Sequence, residues 1–375
     1  MYPALAVLQA LLKRDEDREG FQVQSRAAIH IFWVGGQGGM EAELVKREGL
    51  PFEAISAAGV HGVGLQRLPG NIWQLSRGFF QARRLLRQFR PDVMFFTGGF
   101  VAVPVALAGR LPGRGFPRPR SLLYVPDIEP GLALNTLARI TDRVAVTVEA
   151  SRATLSRHPD VVVTGYPVRS ELSVWDKAEA RRVFQLTPEL PTLLASGGSK
   201  GARSINRALL QALPELLKEM QVIHITGNLD WPEVESVRIK MSAELPAEHV
   251  QRYHAYPYLH KEMGAALTVA DIVISRAGAS TLGEYPAFGI PAVLVPYPHA
   301  WRYQQINAQY LAERGAAIII QDADLPGELL PTLRRLMQDS DHLTKMASAM
   351  RSLAQPHAAE LISDQLFDLV EGRRR

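Results

Sequence analysis

Two glycine turns in the second half of the sequence have the residue types that bind a diphosphate. The apolar run Thr192–Ser196 leads into residues 197–202 (GGSKGA), and Ile272–Ser275 leads into residues 276–281 (RAGAST). Glycine lets the backbone approach an anion, and free amides at a helix amino terminus favour phosphate. Each turn therefore predicts a phosphate contact, although tight strand-to-helix geometry explains the first turn equally well.

A carboxylate and paired side-chain amides follow these turns. Glu284 lies in the first turn of the next predicted helix, where a carboxylate can accept both hydroxyls of a ribose. A favourable interaction with the helix dipole is the alternative. Gln304 and Gln305 open a later helix, and amides both donate to and accept from sugar hydroxyls. Such uncharged hydrogen bonding suits a neutral sugar.

The elements that must position these residues are short apolar strands, each followed by glycine and a helical pattern. The runs are residues 29–34, 93–96, 192–196, 222–226, 272–275 and 292–296. Their alternation with helices is typical of parallel sheets. Residues 91–99 and 270–278 resemble each other, since each runs from a buried strand into a glycine turn. The pattern predicts two similar α/β halves with ligands in a cleft at the carboxyl ends of the strands.

Length and composition fit two domains. The chain has 375 residues, and 47% of them are apolar. We predict one domain over residues 1–165, a second over 166–355, and a final helix over about 356–371 that packs back on the first. The absence of cysteine excludes disulfides, thiolate metal sites and a cysteine nucleophile. The histidines at 61, 224, 254 and 299 are interpreted as structural or solvated residues rather than catalytic bases.

An arginine-rich segment distinguishes the first half. Residues 61–120 contain ten arginines and one acid, an excess that implies an acidic partner. On a predicted helix over residues 71–89, a core stripe would contain Ile72, Leu75, Phe79, Ala82, Leu86 and Phe89. The opposite face would contain Trp73, Arg77, Phe80, Arg84 and Arg87. Outward aromatics among arginines predict contact with an anionic membrane surface, and a solvated face is the alternative. No nucleic acid is expected, because no nucleic-acid motif accompanies the charge.

Segments along the whole sequence resemble the MurG family of glycosyltransferase family 28. These are residues 2–6 (YPALA), 40–45 (MEAELV), 98–101 (GGFV), 165–169 (GYPVR), 197–202 (GGSKGA), 275–279 (SRAGA) and 304–308 (QQINA). The resemblance implies two Rossmann-like domains facing across a cleft, the GT-B fold. It also implies inverting transfer of N-acetylglucosamine from UDP-N-acetylglucosamine to lipid I, giving lipid II, with no cofactor and no metal. The enzyme would be peripheral, at the cytoplasmic side of the cell membrane.

The resemblance also implies roles for individual residues. Glu284 would bind the ribose, Ala279, Ser280 and Thr281 the pyrophosphate, and Gln304 with Gln305 the sugar hydroxyls. Arg169 and Ser199 would contact the donor, and Leu259 would lie near the uracil. The acceptor region would include Gly98, Gly99, Phe100 and Asp127.

The sequence departs from the family pattern at two places. A glycine-rich loop ending in a catalytic histidine precedes the YPALA motif in the family, whereas Met1 precedes it here. We therefore expect a truncated start that lacks the first strand of domain 1, and no catalytic residue is assigned. Residues 124–127 (YVPD) replace a His-Glu-Gln-Asn stretch, so Asp127 stands in place of an asparagine. Alternative functions are another UDP-sugar glycolipid synthase, an epimerase, or a non-catalytic homologue that binds UDP-sugar or membrane.

Overall fold

A computed structural model describes residues 1–19, 29–38, 41–57, 68–111, 117–198, 201–299 and 302–374. The chain forms two compact units: unit 1 contains Met1–Pro167 and His357–Arg375, and unit 2 contains Val168–Pro356. The predicted architecture of two α/β domains is confirmed. The division follows Pro167, two residues beyond the boundary expected from the sequence.

Strands and helices alternate along unit 1. Its first elements are α1 (Tyr2–Glu19), β1 (Trp33–Gly36), α2 (Glu41–Arg47), β2 (Phe52–Ile55), α3 (Leu68–Phe89) and β3 (Val93–Phe96). They are followed by α4 (Ala102–Arg110), β4 (Arg120–Val125), α5 (Leu132–Ala138), β5 (Arg143–Val146), α6 (Ser151–Thr154) and β6 (Val161–Val163).

The described strands of unit 1 form two parallel sheets rather than one. One pairs β1 with β2, and the other has the order β3-β4-β5-β6. Both contribute to one core, in which Ile55 of β2 and Phe96 of β3 pack with Ala82 and Leu86 of α3. Helix α3 therefore covers strands from both sheets, and the apolar stripe predicted for it explains why.

Two local predictions in unit 1 are wrong. The strand expected over residues 29–34 is instead Trp33–Gly36, because pairing with Phe52–Ile55 continues through two glycines that were assigned to a turn. Phe89 was placed in the core stripe but is 38% exposed and packs on Phe32, with 5.3 Å between the ring centroids. It is the last residue of α3, where the stripe has passed beyond the sheet.

Unit 2 is a single six-stranded parallel sheet with helices. Its strands are β7 (Thr192–Ser196), β8 (Gln221–Ile225), β9 (Tyr253–Tyr256), β10 (Ile272–Ser275), β11 (Ala292–Leu294) and β12 (Ala317–Ile319). Its helices are α7 (Lys177–Val183), α8 (Arg203–Leu216), α9 (Trp231–Glu244), α10 (Ala247–Val250), α11 (Glu262–Val269), α12 (Glu284–Phe288), α13 (Tyr303–Ala312), α14 (Leu325–Gln338) and α15 (Ser340–Ser352). Single 3₁₀ turns span Ser170–Val174 and Ala279–Leu282.

The strand order of unit 2 identifies where a ligand would bind. The order is β12-β11-β10-β7-β8-β9, so the chain reverses direction across the sheet between β7 and β10. Ligands of open parallel sheets bind beyond the carboxyl ends of the strands at such a reversal. Helix α8, which follows β7, buries Ile205, Leu209 and Leu213 at a spacing of four residues. Because these side chains pack on the core of the sheet, the amino end of α8 is fixed at the reversal.

The last helix, α16 (Ala358–Arg374), belongs to unit 1. It packs against α1, where Arg14 forms an ion pair with Asp364 and its guanidinium lies 4.6 Å from the ring centroid of Phe367. Residues 4–8 of α1 are buried.

Candidate functional site

The turn after β10 is held by its own backbone and by one hydroxyl. The amide and the hydroxyl of Thr281 donate to the carbonyl of Gly278, at 3.0 and 2.8 Å. Thr281 is 2% exposed, whereas Ala279 and Ser280 are half-buried. Thr281 therefore stabilises the 3₁₀ turn, and Ala279 and Ser280 form the part of it that a ligand could reach.

Glu284 is the first residue of α12 and lies in an environment that disfavours charge. Burial raises the pKa of its carboxyl to about 7, and the nearby positive charge of Arg169 opposes that shift. Burial raises the pKa of a carboxyl whether or not it also interacts with a helix amino end. Glu284 therefore stays a predicted ligand-binding residue, with a buried carboxyl beside a cation.

Arg169 lies near Glu284, and helix α11 packs against the segments that carry both residues. Arg169 pairs with Glu171 at 2.6 Å and immediately precedes the 3₁₀ turn Ser170–Val174. Helix α11 packs against that turn and against α12. The approach is close because Gly264 has no side chain: a Cβ there would lie 2.4 Å from the carbonyl oxygen of Leu172. Leu259, which is 8% exposed, lies three residues before the start of α11.

The amino end of α13 carries the predicted amides. The side-chain oxygen of Gln304 accepts from the backbone amide of Tyr297 at 2.9 Å, which leaves its NH₂ group as the donor for a ligand. Gln305 is half-buried beside it. Asn307 donates to the carbonyl of Ala277 at 3.2 Å and so connects α13 to the turn after β10.

Arg276, which the sequence analysis did not single out, connects four segments at the carboxyl ends of the strands. Its guanidinium donates to the carboxylate of Asp322, to the carbonyl of Val295 at 3.2 Å, and to the hydroxyl of Ser204 at 2.8 Å. It also lies 5.1 Å from the ring centroid of Tyr297. The sequence feature that could have identified Arg276 is its position directly after a buried strand, at the edge of the sheet where ligands bind.

The glycine turn after β7 is folded against β8. Gly198 and Gly201 have φ angles of +77° and +79°, a region that disfavours side chains. A Cβ at Gly201 would lie 2.3 Å from the carbonyl oxygen of Thr226, so glycine is required there. Ser199, the predicted donor contact in this turn, lies outside the described residues, as does His61.

The other histidines do not form a catalytic cluster among the residues that the structure describes. His224 is fully buried and hydrogen-bonded, and His254 is half-buried. His299 is exposed and packs edge-on against Tyr297.

In unit 1, the predicted acceptor residues lie at the ends of adjacent strands. Gly98 and Gly99 follow β3 with φ angles of +101° and +86°, and Phe100 is 54% exposed. Asp127 follows β4, which pairs in parallel with β3. Parallel neighbours end at the same edge of a sheet, so these residues share one edge.

The outer face of α3 exposes two large aromatics. Trp73 and Phe80 are 70% and 69% exposed. They border a shallow groove of about 380 Å³ together with Ser76, Arg77, Gln81 and Arg84. Arg87, one turn further along, is also exposed. In the described part of the chain, no helix combines the length and apolar character needed to cross a membrane.

Comparisons with known proteins agree with this geometry. The glycosyltransferase family 28 N-terminal domain matches residues 1–115, and the family 28 C-terminal domain matches residues 192–364. A UDP-N-acetylglucosamine--N-acetylmuramyl-(pentapeptide) pyrophosphoryl-undecaprenol N-acetylglucosamine transferase of Roseiflexus sp. is 40% identical, covering 100% of this chain and 93% of that protein. The enzyme of the same name from Desulforamulus reducens is 35% identical, covering 96% and 92%. The chain belongs to the MurG family of glycosyltransferase family 28.

Solved structures show the same fold. MurG of Acinetobacter baumannii has a TM-score of 0.70 and 26% identity, covering 98% of this chain and 95% of that one. A UDP-GlcNAc 2-epimerase of Neisseria meningitidis has a TM-score of 0.65 but only 12% identity, covering 97% and 96%. The epimerase likeness therefore concerns the fold alone.

One departure from the MurG-family pattern concerns Tyr124. This residue is fully buried, and its hydroxyl lies 2.8 Å from that of Thr147 and donates to the carbonyl of Gly165 at 3.3 Å. Burial raises its pKa far above the ordinary tyrosine value. Tyr124 is therefore a neutral structural residue, and Asp127 is the half-buried polar residue of this stretch.

Proposed function

We propose that this protein transfers N-acetylglucosamine from UDP-N-acetylglucosamine to the muramoyl sugar of lipid I, forming lipid II for peptidoglycan synthesis. The observation that carries the proposal is 40% identity over the whole chain to a transferase whose name states that activity. The arrangement of Glu284, Arg169 and Gln304 in unit 2 supports it, because each side chain matches one part of the donor. As a source of lipid II, the enzyme would serve cell shape and cell division.

The proposal assigns each part of the donor to residues of unit 2. The carboxylate of Glu284 accepts the two ribose hydroxyls, and Leu259 lies on the side of the uracil. The diphosphate is contacted by the amides of Ala279 and Ser280 and by the glycine turn after β7, with Ser199. Thr281 stabilises the turn after β10 that carries Ala279 and Ser280. The NH₂ group of Gln304, with Gln305 beside it, meets the sugar hydroxyls.

Transfer with inversion places the acceptor hydroxyl opposite UDP at the anomeric carbon. The hydroxyl oxygen forms its bond to that carbon as the bond to the diphosphate oxygen breaks, UDP leaves with the electron pair, and the hydroxyl proton is released. Turn amides and helix amino termini stabilise the charge that develops on the diphosphate. The acceptor contacts are Gly98, Gly99, Phe100 and Asp127 of unit 1.

Helix α3 supplies the proposed contact with the membrane. The exposed rings of Trp73 and Phe80 would enter the interface, and Arg77, Arg84 and Arg87 would meet anionic headgroups at the cytoplasmic side. Each arginine near such a surface contributes about 1 kcal/mol. This arrangement suits a peripheral enzyme whose acceptor is anchored in the bilayer.

Labelled UDP-N-acetylglucosamine, supplied with a soluble lipid I analogue, tests the proposal. We expect transfer of label to the analogue, equal release of UDP, and activity that persists in chelator. Transfer to diacylglycerol instead would identify a glycolipid synthase, and conversion of the donor sugar without any acceptor would identify an epimerase. Binding of UDP without either reaction would leave a non-catalytic homologue; each of these three results overturns the proposal.

A further inference from the structure

A chain of buried hydrogen bonds in unit 2 reaches the carbonyl of Thr226, against which Gly201 of the glycine turn after β7 is packed. His224 of β8 is fully buried, with Nδ1 2.8 Å from the hydroxyl of Tyr253 and Nε2 2.9 Å from the side-chain oxygen of Asn206. The NH₂ group of Asn206 donates to the carbonyl of Thr226 and to the carboxylate of Asp230, both at 2.9 Å.

The direction of every bond in this chain is determined. The carbonyl of Thr226 and the carboxylate of Asp230 only accept, so Asn206 must turn its NH₂ group toward them and its oxygen toward His224. His224 must then carry its proton on Nε2, and its Nδ1 must accept from the hydroxyl of Tyr253. Burial lowers the pKa of His224 to about 3, which keeps the ring neutral and this arrangement intact near neutral pH.

The chain ends where the glycine turn meets β8. Gly201 lies against the same carbonyl of Thr226 that accepts from Asn206. The second oxygen of Asp230 accepts from Nε of Arg203, the first residue of α8, at 3.0 Å. Asn206 lies in the first turn of that helix. Both the turn and the helix start are therefore fixed to β8 through Asn206.

We propose that His224 is a positioning residue for the donor. By orienting Asn206, it keeps Gly201 and the amino end of α8 in place beside the donor diphosphate, without touching the donor itself. This inference rests on the proposed function for its assignment of that turn to the donor. It predicts that a His224 variant binds the donor more weakly and binds the acceptor as before, because the proposed acceptor residues lie in unit 1.

His224→Leu and His224→Gln test the proposal. Leucine leaves the oxygen of Asn206 without a donor, and we expect the Kd for UDP and the KM for UDP-N-acetylglucosamine to rise about tenfold, as for one unsatisfied buried group. The KM for the lipid I analogue should change by no more than about twofold, which is the size of effect expected from a substitution that does not touch the acceptor site. Glutamine presents an NH₂ group to Asn206 and should recover most of the donor affinity.

Leu336→Ala is the matched control. Leu336 of α14 is fully buried in the same unit, so its truncation lowers the melting temperature by leaving a cavity but should not change donor affinity. If His224→Leu lowers the melting temperature and leaves the Kd for UDP unchanged, as Leu336→Ala does, His224 is only structural and the proposal fails.

Two further measurements separate the possible failures. Should His224→Leu not fold, Tyr253→Phe removes the hydroxyl that donates to Nδ1 of His224 and helps to hold its ring; an unchanged Kd for UDP would then contradict the proposal, and a rise of about threefold would support it. UDP binding is measured calorimetrically and needs no acceptor. A wild-type protein that binds UDP but does not glycosylate the lipid I analogue overturns the proposed function, whereas the Kd comparison still decides the role of His224.

Discussion

The two similar segments at residues 91–99 and 270–278 form different turns. In unit 1, Gly98 and Gly99 both have positive φ angles, of +101° and +86°. In unit 2, the matching residues are Ala277 and Gly278, and Gly278 has an ordinary φ of −69°. Arg276, at the position of Thr97, donates to three neighbouring groups in unit 2. The same pattern therefore gives a glycine-dependent turn in one unit and a turn fixed by side chains in the other.

The two turns also have different surroundings: hydrogen-bonded side chains in unit 2 and exposed aromatic side chains in unit 1. Unit 2 carries hydrogen-bonded networks around Asn206 and Arg276, which would preorganise a site for one small ligand. Unit 1 exposes Phe100 near its turn and Trp73 and Phe80 on α3. Exposed aromatics and arginines suit an extended lipid surface rather than a defined pocket. We expect unit 2 to respond to protonation and to single polar substitutions, and unit 1 to respond to lipid composition.

The largest expected effect is that of Glu284→Ala. Loss of two charge-assisted hydrogen bonds to the ribose should weaken UDP binding about 100-fold, measured by calorimetry, and leave vesicle binding unchanged. 2′-Deoxy-UDP supplies the control, because it lacks one of the two hydroxyls. Equal losses of affinity for UDP and for 2′-deoxy-UDP would show that Glu284 does not contact the 2′-hydroxyl and would contradict the two-hydroxyl contact.

The next effect concerns unit 1. Trp73→Ala removes an exposed aromatic and should weaken binding to anionic vesicles about 30-fold, while the Kd for UDP stays unchanged. Val174→Ala is the control, since Val174 of unit 2 is 72% exposed and apolar. Vesicle sedimentation measures both. If the two variants bind alike, the exposed face of α3 is only a solvated surface.

Protonation of Glu284 should alter donor affinity by a smaller factor. With a pKa of about 7 in the free protein, the carboxyl ionises as the pH rises, and only the carboxylate accepts two hydroxyls. Affinity for UDP-N-acetylglucosamine, whose diphosphate does not titrate in this range, should therefore rise about tenfold between about pH 6 and about pH 8. Glu284→Gln should abolish this dependence. A wild-type affinity that is flat with pH would contradict the assignment.

The raised pKa of Glu284 should affect stability in the opposite direction: donor affinity rises with pH, whereas the free energy of unfolding falls. The pKa of Glu284 in the folded protein lies above its value of 4.5 in the unfolded chain, so ionisation opposes folding. The free energy of unfolding contributed by this group should fall as the pH rises from about 4.5 to about 7, and then level off. Glu284→Gln should remove that slope in chemical unfolding curves.

Local patterns allowed much of the fold to be predicted. The strands Val93–Phe96, Thr192–Ser196 and Ile272–Ser275 have the predicted bounds, because short apolar runs between turns leave little choice. The strand predicted over residues 292–296 ends at Leu294. There the carbonyl of Val295 accepts from Arg276, a partner that only the strand order brings close.

The site residues also fall into two groups: those that a local motif identifies and those whose contacts depend on the order of the strands. Glu284 and Gln304 lie in the first turns of the helices that follow β10 and β11, so local motifs could find them. The contacts of His224 with Asn206 and of Arg276 with Asp322 join residues 18 and 46 positions apart. The first contact depends on β8 pairing with β7, and the second on β10, β11 and β12 lying side by side, an order that periodicity does not reveal. A buried histidine in an apolar strand was therefore recognisable only as structural.

The smallest expected effect tests the difference between the two turns directly. Gly98→Ala forces a side chain into a φ of +101° with its Cβ 3.1 Å from Leu134, which should cost about 1–2 kcal/mol of stability. Gly278→Ala adds a Cβ with no atom within 4 Å at an ordinary φ, so stability should be unchanged or slightly higher. Urea unfolding of the two variants compares them under one condition. Equal costs would mean that both turns need glycine, and that the contrast between the units lies in their side chains alone.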